Sequence, residues 1–161
     1  MNKEFEKRRR KLSKLIVKDG IAVIPTASTR VRSRDTDYPY RPDSDFYYFT
    51  GFSEPNAVMI LAPGREDGSF ILCLREKNPL TEIWDGHMEG LNGVKKNYEA
   101  DQSFDIEDLE TILSSLFLGR QKVFFTLGQD EVLDKILMKS FNAVRAGQRR
   151  GGVVPSEIQA L

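Results

Sequence analysis

The sequence has very little of the two side chains that most often hold metals or attack substrates. Its 161 residues include one histidine, His87, and one cysteine, Cys73. A zinc site of the Cys/His type needs several such ligands and is therefore excluded. A lone cysteine also excludes an intramolecular disulfide and indicates a reducing compartment. Cys73 lies in the apolar run 69-SFILCL-74, which predicts a buried and unreactive thiol, whereas His87 is predicted to be an exposed loop residue.

Net charge and long apolar runs are missing as well. The 24 basic and 24 acidic residues cancel, so no overall field attracts the protein to nucleic acid or to anionic lipid. No run approaches the roughly 18 apolar residues of a membrane span. The basic start of the chain is not followed by a continuous apolar segment, so it does not have the pattern of a secretory signal. We therefore expect a cytoplasmic protein with no nucleic-acid partner and no membrane partner.

The common catalytic and phosphate-binding motifs are absent too. The sequence contains no G-x-S-x-G, no G-x-G-x-x-G and no Walker A sequence. Acidic residues cluster around Asp43, but a calcium-binding EF-hand loop that began there would need glycine where Tyr48 stands. Asp43, Ser44 and Asp45 are better explained as turn and N-cap residues. We expect no catalytic residue and no metal site in this chain.

What the sequence does contain is an alternation of helical and strand patterns. An amphipathic helix opens the chain and stops at Gly20, and the basic cluster 8-RRRK-11 is predicted to be its solvent-exposed face. Its apolar stripe consists of Phe5, Leu12, Leu15 and Ile16. The further predicted elements are a strand at 21–25, a hairpin of buried strands at 57–62 and 69–74, a helix at 103–119, a strand at 122–127 and a helix at about 129–146. Together they predict an α/β fold, a mixed β-sheet flanked by helices.

Two polar regions carry aromatic side chains that this pattern leaves unexplained. The long stretch 26–45 leads into four consecutive rings at 46–49, and four such rings cannot all face one side of a helix or strand. Long ordered loops are usually functional. The second region, 81-TEIWDG-86, sets the only tryptophan, Trp84, in a predicted polar loop between two carboxylates. Trp84 either packs on the surface of its own domain or is offered to a partner or ligand, and composition leaves both open.

These two regions carry a resemblance to a known family. The run 34-RDTDYPYRPDSDFYYFTGFSEPNAVMIL-61, followed by 82-EIWDG-86, resembles the N-terminal domain of Xaa-Pro aminopeptidases, the aminopeptidase P or creatinase/prolidase-like type. The opening helix and the hairpin agree, and the resemblance covers essentially the whole chain. It implies a mixed sheet with helices on its faces, in a domain that builds oligomer contacts and overhangs an active site.

Enzymes of this family have a second, C-terminal domain of the pita-bread fold. There, Asp, His and Glu ligands hold two metal ions, typically manganese, and the enzyme releases an N-terminal residue that precedes proline. No stretch of this sequence matches that domain. The resemblance therefore implies that residues 1–147 are the N-terminal domain and that 148–161, which is Gly-rich and then shows a Pro-Ser-Glu helix-start signal, is a linker and the start of a missing C-terminal metallopeptidase domain. We expect such a chain to be inactive alone and to act as part of the full-length aminopeptidase.

The resemblance also assigns roles to residues. Asp35 and Trp84 match family positions near the substrate, where a carboxylate can pair with the α-ammonium of a peptide and an indole can cover its proline ring. The residues expected at an interface with another subunit or with the catalytic domain are Tyr38, Tyr40, Arg41 and Tyr47. The implied partners are the chain's own C-terminal domain, further copies of the chain, and peptides with proline at the second position. The alternatives are a turn cap for Asp35 and an anchor for its own loop in the case of Trp84.

Two function classes therefore compete. One is a substrate-gating domain of a dimanganese exopeptidase, and the other is a non-catalytic peptide- or protein-binding module with a peptidase-derived fold. The observation that separates them is whether the native reading frame continues past Leu161 into the metal ligands.

Overall fold

The computed structural model describes residues 3–147 and 155–160, except for the side chains of Thr81, Trp84 and Asp85. The described elements follow one another as α1 (Lys3–Ile16), β1 (Gly20–Pro25), β2 (Val31–Ser33), β3 (Thr36–Asp37), α2 (Ser44–Thr50), β4 (Val58–Leu61), β5 (Phe70–Leu74), α3 (Pro79–Asp85), α4 (Gly90–Tyr98), β6 (Gln102–Asp105), a 3-10 turn (Ile106–Asp108), α5 (Leu109–Phe117), β7 (Lys122–Phe124), α6 (Glu131–Gly147) and β8 (Glu157–Gln159). None of the described helices is long and apolar enough to cross a bilayer.

Six strands form one mixed sheet in the order β6-β5-β4-β1-β7-β8. β4 pairs antiparallel with both β1 and β5, which confirms the predicted hairpin. The pairings of β5 with β6, β1 with β7 and β7 with β8 are parallel. β2 and β3 form a separate two-stranded hairpin inside the stretch predicted as a loop. The predicted mixed sheet flanked by helices is therefore confirmed.

The sheet has two apolar faces because successive side chains of a strand point to opposite sides. On β1, Ile21 and Val23 belong to one buried cluster, whereas Ala22 and Ile24 belong to the other. All residues of β4 and β5 are buried, since helices cover both faces. We call the side that contains Ile21 the α5–α6 face and the side that contains Ala22 the α1–α2 face.

The α5–α6 face is covered by two helices with regular apolar stripes. The buried apolar residues are Leu109, Leu113, Leu116 and Phe117 on α5, and Leu133, Leu137, Phe141 and Val144 on α6. The helix predicted near 129–146 is confirmed as α6. The helix predicted at 103–119 is wrong in its first part, because Gln102–Asp105 is strand β6, paired with β5. The helical part begins only where the Asp105 carboxylate accepts a hydrogen bond from Glu107 N at 3.0 Å.

The α1–α2 face is covered by α1, α2 and α4, and α1 contacts it differently than predicted. Leu15 is 78% exposed, whereas Arg9 is buried. The Arg9 guanidinium donates to the Phe49 carbonyl at 2.9 Å and lies 3.8 Å from the centre of the Phe70 ring. The prediction that 8–11 is a solvent-exposed face is therefore wrong for Arg9. The physical reason is that the last carbonyls of α2 lack partners within their own helix and need an outside donor.

Three predicted boundaries are also wrong. α1 ends at Ile16, and Gly20 instead begins β1. In the region 81–86, predicted as a loop, residues 81–85 belong to α3 and Gly86 ends it, while Asn78 caps its start by accepting a hydrogen bond from Leu80 N at 2.9 Å. The Pro-Ser-Glu signal at 155–157 does not begin a helix, because Glu157–Gln159 pairs with the open edge of β7 as strand β8. The division into a domain at 1–147 and a linker at 148–161 stays a prediction.

Candidate functional site

The aromatic run that follows the long polar stretch forms helix α2. The Asp43 carboxylate accepts hydrogen bonds from Asp45 N at 2.9 Å and from Phe46 N at 3.1 Å, which confirms the predicted N-cap. Phe46 is fully buried, and Phe49, three residues later on the same helical face, is partly buried against the core. Tyr47 and Tyr48 lie between them on the outer side and are 46% and 49% exposed. The helical period therefore divides the run into a core side and a surface side.

Asp35 lies in the turn of the β2–β3 hairpin, next to Arg34, whose φ is +48°. Its carboxylate is exposed, and no residue that the structure describes donates a hydrogen bond to it. The alternative role as a turn cap therefore finds no partner in the described part of the chain. A free carboxylate at the tip of a hairpin is available to a cationic group from outside.

The predicted interface residues do not form one equivalent set. Tyr38 is 56% exposed, with the Arg32 guanidinium 5.9 Å from the centre of its ring, and Arg41 is exposed as well. Tyr47 makes an edge-to-face contact with Phe5, at 6.1 Å between ring centres, and keeps its outer side open. Tyr40 is different because its hydroxyl is already bonded within the domain.

The Tyr40 hydroxyl connects two distant loops. It shares a hydrogen bond of 2.5 Å with Thr26 Oγ1 and donates to the Glu54 carbonyl at 3.4 Å. Burial raises the pKa of Tyr40 above its ordinary value, and the bond to Thr26 opposes that effect. Tyr40 thus holds the end of the hairpin stretch against the segment before β4. It acts as an anchor of the surface on which Tyr38 and Arg41 lie.

Trp84 belongs to helix α3, and its side chain lies outside the described part of the structure. The described apolar side chains of the same short helix face solvent, with Leu80 73% and Ile83 72% exposed. Exposed apolar groups on a seven-residue helix are a surface feature that usually meets a partner. The structure leaves both hypotheses for Trp84, the anchoring role and the ligand contact, as predictions.

Two carboxylates that sequence reasoning missed organise the ends of α3. Glu82 Oε1 lies 2.9 Å from Lys77 Nζ, 2.9 Å from Met88 N and 3.5 Å from Nδ1 of His87, which is exposed as predicted. The bond from Lys77 and then that from Met88 N hold the pKa of Glu82 below its ordinary value. The signal for Glu82 was visible in 81-TEIWDG-86, where the tryptophan follows a carboxylate by two positions, but sequence alone does not show which donors reach it.

Glu54 is the second of these carboxylates. Its Oε1 accepts a hydrogen bond from Glu89 N at 2.9 Å, while its carbonyl accepts the bond from Tyr40. Burial raises the pKa of Glu54 above its ordinary value, and the bond from Glu89 N acts in the opposite direction. The contacts of Glu54 therefore join the loop that contains Tyr40 to the junction between α3 and α4.

A pair of adjoining clefts lies at the carboxyl end of β1. They share the lining residues Pro25, Thr26, Ala27, Ser28 and Asp130, and have volumes of about 150 Å³ and about 290 Å³. Ser28 Oγ donates to Asp130 at 3.3 Å across this region. The Asp130 carboxylate is already occupied in capping α6, where it accepts from Val132 N and Leu133 N. Asp35 lines neither of these clefts.

The described residues do not fit a dinuclear metal centre. No three His, Cys, Asp or Glu side chains come together as ligands within 3–147 and 155–160, leaving aside the side chains of Thr81, Trp84 and Asp85. Cys73 is fully buried on β5, and burial raises the pKa of its thiol to about 12. The predicted burial of the thiol is confirmed, and its low reactivity stays a prediction that the raised pKa favours.

Comparison with known proteins places this geometry in a family. Residues 5–125 match the family described as the aminopeptidase P N-terminal domain. The chain is 30% identical over 154 residues to the Xaa-Pro aminopeptidase of Escherichia coli K12, and the alignment covers 95% of this chain and 35% of that protein. The structure of aminopeptidase PepP from Pseudomonas aeruginosa superposes with a TM-score of 0.93 at 42% identity, covering 98% of this chain and 36% of that one. Zinc-substituted E. coli aminopeptidase P in complex with product gives a TM-score of 0.92 at 29% identity, covering 99% of this chain and 37% of that one.

The two solved structures share the fold of this chain over nearly its whole length. The chain spans about a third of the length of the relatives that it matches, and it matches only their N-terminal part. Since the matched residues 5–125 include α1, both hairpins, the aromatic helix α2 and α3, the chain belongs to the aminopeptidase P N-terminal domain family.

Proposed function

We propose that this chain is the non-catalytic part of a Xaa-Pro aminopeptidase, that it gates the substrate, and that it builds oligomer contacts. The observation that carries the proposal is an exposed carboxylate at Asp35, without a described partner, in the same domain as the exposed apolar helix that contains Trp84. Neither the Asp35 carboxylate nor the described apolar side chains of that helix, Leu80 and Ile83, belong to the buried core of this domain. Both suit a peptide whose amino terminus is cationic and whose second residue is proline.

The chemistry of each group supports one part of substrate recognition. The Asp35 carboxylate is suited to pair with the free α-ammonium of the peptide, an interaction that strengthens when the site is closed to water. The indole of Trp84 is suited to cover the proline ring, because a large flat apolar surface excludes water from it. In this proposal the domain contributes binding and closure and leaves bond cleavage to the other domain.

The catalytic half is proposed to be a C-terminal metallopeptidase domain with two manganese ions, which activate water for hydrolysis when bound. The zinc-substituted E. coli relative supports a metal-dependent reaction in the family. The residues described here offer no ligand set for such ions, so every metal ligand is assigned to that other domain. A cytoplasmic location belongs to the same proposal.

The proposed interface is the surface that contains Tyr38, Arg41 and Tyr47. Exposed tyrosine rings and an arginine are the side chains most enriched at protein contacts. Tyr40 supports this surface from beneath through its bonds to Thr26 and Glu54. The occupant is proposed to be a second copy of the chain or the catalytic domain of the same enzyme.

The test is made in the full reading frame, with Trp84→Ala and Asp35→Asn measured two ways. Each variant is expected to lower kcat/KM for X-Pro peptides about tenfold while leaving the urea midpoint nearly unchanged. Leu118→Ala, a change at a 62% exposed residue after α5, is the control and is expected to alter neither quantity.

Two results would overturn the proposal. If Trp84→Ala unfolds the protein, the indole is an anchor of its own loop. If the reading frame lacks metal ligands and both variants weaken only peptide binding, the chain is part of a binding module without peptidase activity.

A further inference from the structure

The described apolar side chains of helix α3, Leu80 and Ile83, are not buried against the domain. The helix contains only seven residues, and none of its described side chains is buried. Isolated helices of that length are unstable in water, since too few hydrogen bonds offset the cost of starting the helix. The structure describes a polar connection between this helix and the residues on either side of it.

The contacts of Glu82 supply that connection. A single oxygen, Oε1, contacts three groups. Lys77 precedes the helix in sequence, whereas His87 and the backbone N–H of Met88 follow it. The Glu82 side chain as a whole is 20% exposed. Lys77 precedes the cap residue Asn78, and Met88 follows the terminal Gly86, so the contacts bracket the whole helix.

The two ends of the bracket are also attached to the domain. The side chain of Met88 is 4% exposed, and the next residue, Glu89, donates its N–H to Glu54. At the other end, the chain at Lys77 approaches Gly90 so closely that a Cβ at Gly90 would lie 2.7 Å from Cβ of Lys77. Residues 77 and 88–90 are therefore close together in space. The contacts of Glu82 close the chain segment between them, which contains α3.

We infer that Glu82 is a positioning residue, whose carboxylate clasps residues 77 and 88 together and so fixes helix α3, with Trp84, over the substrate. The clasp rests on the contacts above, and its consequence for catalysis rests on the proposed function. The lowered pKa of Glu82 has the same physical cause as the clasp, namely the bonds from Lys77 and then from Met88 N.

The clasp can be tested on this chain because Trp84 is its only tryptophan. Fluorescence therefore reports on α3 alone. In Glu82→Ala, acrylamide quenching of the tryptophan is expected to rise about twofold and its anisotropy to decay faster, since a helix without its closing contact opens locally. Glu82→Gln is expected to give an intermediate value, because the amide oxygen still accepts from Met88 N while the charge opposite Lys77 is lost.

Glu131→Ala is the matched control. It removes a carboxylate that accepts from Lys135 at 2.6 Å on α6, and it is expected to leave the fluorescence unchanged. Lys77→Met removes the cationic partner and leaves Glu82 in place, so it tests the clasp even if Glu82→Ala does not fold. Unchanged quenching in both Glu82→Gln and Lys77→Met would overturn the inference.

The consequence for catalysis is measured in the full reading frame. Glu82→Ala is expected to lower kcat/KM for X-Pro peptides about tenfold, with partial rescue in Glu82→Gln, since small misplacements of a positioning group are costly. If Glu82→Ala alters the fluorescence but leaves kcat/KM unchanged, the result supports the clasp and contradicts the proposed substrate role of Trp84. If the fluorescence is unchanged in the Glu82 variants while Trp84→Ala lowers kcat/KM tenfold, the result supports the substrate role and contradicts the clasp.

Discussion

The two faces of the central sheet are covered by helices that are held in different ways. On the α5–α6 face, apolar side chains of both helices interlock, and Phe117 stacks on Phe141 with ring centres 4.9 Å apart. On the α1–α2 face, the apolar cluster is supplemented by Arg9, which is buried and donates to a carbonyl at the end of α2. Arg8 makes a similar bond to the Tyr48 carbonyl at 3.0 Å.

The difference shows what each face contributes. The helices on the α5–α6 face contact the sheet through apolar side chains. The stability of this face therefore comes mainly from the burial and close packing of those side chains. The α1–α2 face must also satisfy the polar end of a short helix that has aromatic side chains both inside and outside. This second face includes α2, whose outer side presents Tyr47 and Tyr48, and α2 follows directly on the stretch that contains Asp35. The elements on the α1–α2 face thus both cover the core and expose aromatic side chains to solvent.

The largest expected effect is on the α5–α6 face. Phe117→Ala should lower the free energy of unfolding by about 3–5 kcal/mol, because it leaves a cavity beside Phe141 where the ring is fully buried. Urea denaturation measures this change. The next residue, Leu118, is 62% exposed, and Leu118→Ala should change the free energy of unfolding by less than about 0.5 kcal/mol. Equal losses for the two variants would show that this face is not held by packing.

A smaller loss is expected on the α1–α2 face. Arg9→Ala should lower the free energy of unfolding by about 1.5–3 kcal/mol, since the charged donor to the Phe49 carbonyl is lost inside the protein. Arg10→Ala, one position along, removes a 75% exposed guanidinium paired with Glu6 and should cost less than about 0.5 kcal/mol. Arg9→Lys should recover part of the loss because it restores the charge without the planar fork. If Arg9→Ala is no more costly than Arg10→Ala, the buried contact contributes nothing to stability.

The smallest expected effect concerns Glu54 and depends on pH. Its folded-state pKa is raised above the ordinary glutamate value of 4.5, so ionisation opposes folding. That cost is absent below pH 4.5 and complete once the pH exceeds the folded-state pKa. Glu54→Gln keeps an acceptor for Glu89 N and should therefore raise the thermal midpoint slightly at pH 7, with the gain disappearing near pH 4.

Glu82→Gln should behave in the opposite way, since the pKa of Glu82 is lowered. Its stabilising contribution is present above pH 4.5 and is lost as the pH falls through the folded-state pKa. The substitution should therefore lower the midpoint at pH 7 and matter less in acid. The same sign for both variants at pH 7 would contradict the assigned environments of the two carboxylates.

The features that the sequence predicted correctly are those that depend on contacts between residues close together in the chain. The hairpin of β4 and β5, helix α6 and the Asp43 cap rest on nearby residues or on strict apolar periodicity, and all were predicted correctly. Strand β6 was missed because its polar residues become a strand only through pairing with β5. Helix α4 was not predicted, and its apolar stripe is short. Local pattern is a weak guide wherever a neighbouring strand decides the conformation.

The residues of the candidate site fall into two groups, those selected from the sequence and those recognised only in the structure. Asp35 and Trp84 were selected by resemblance, and the structure places Asp35 on an exposed turn and Trp84 in a helix with exposed apolar neighbours. Glu54 and Glu82 were not selected, although both lie in the quoted motifs. Their importance comes from donors that folding brings to them, one of which, Glu89 N, is 35 positions from Glu54.

The sequence by itself determined the α/β class, the two-sided strands and the Asp43 cap, and its resemblance identified the family. The first three follow from alternation, helical period and capping chemistry, whose physics operates within a few residues. Only the tertiary structure decided that Arg9 is buried, that Glu157–Gln159 extends the sheet, and that Glu82 closes the segment around α3. Each of these depends on whether a charged or backbone group finds its partner once the chain has folded, because an unpartnered polar group away from water is too costly to keep.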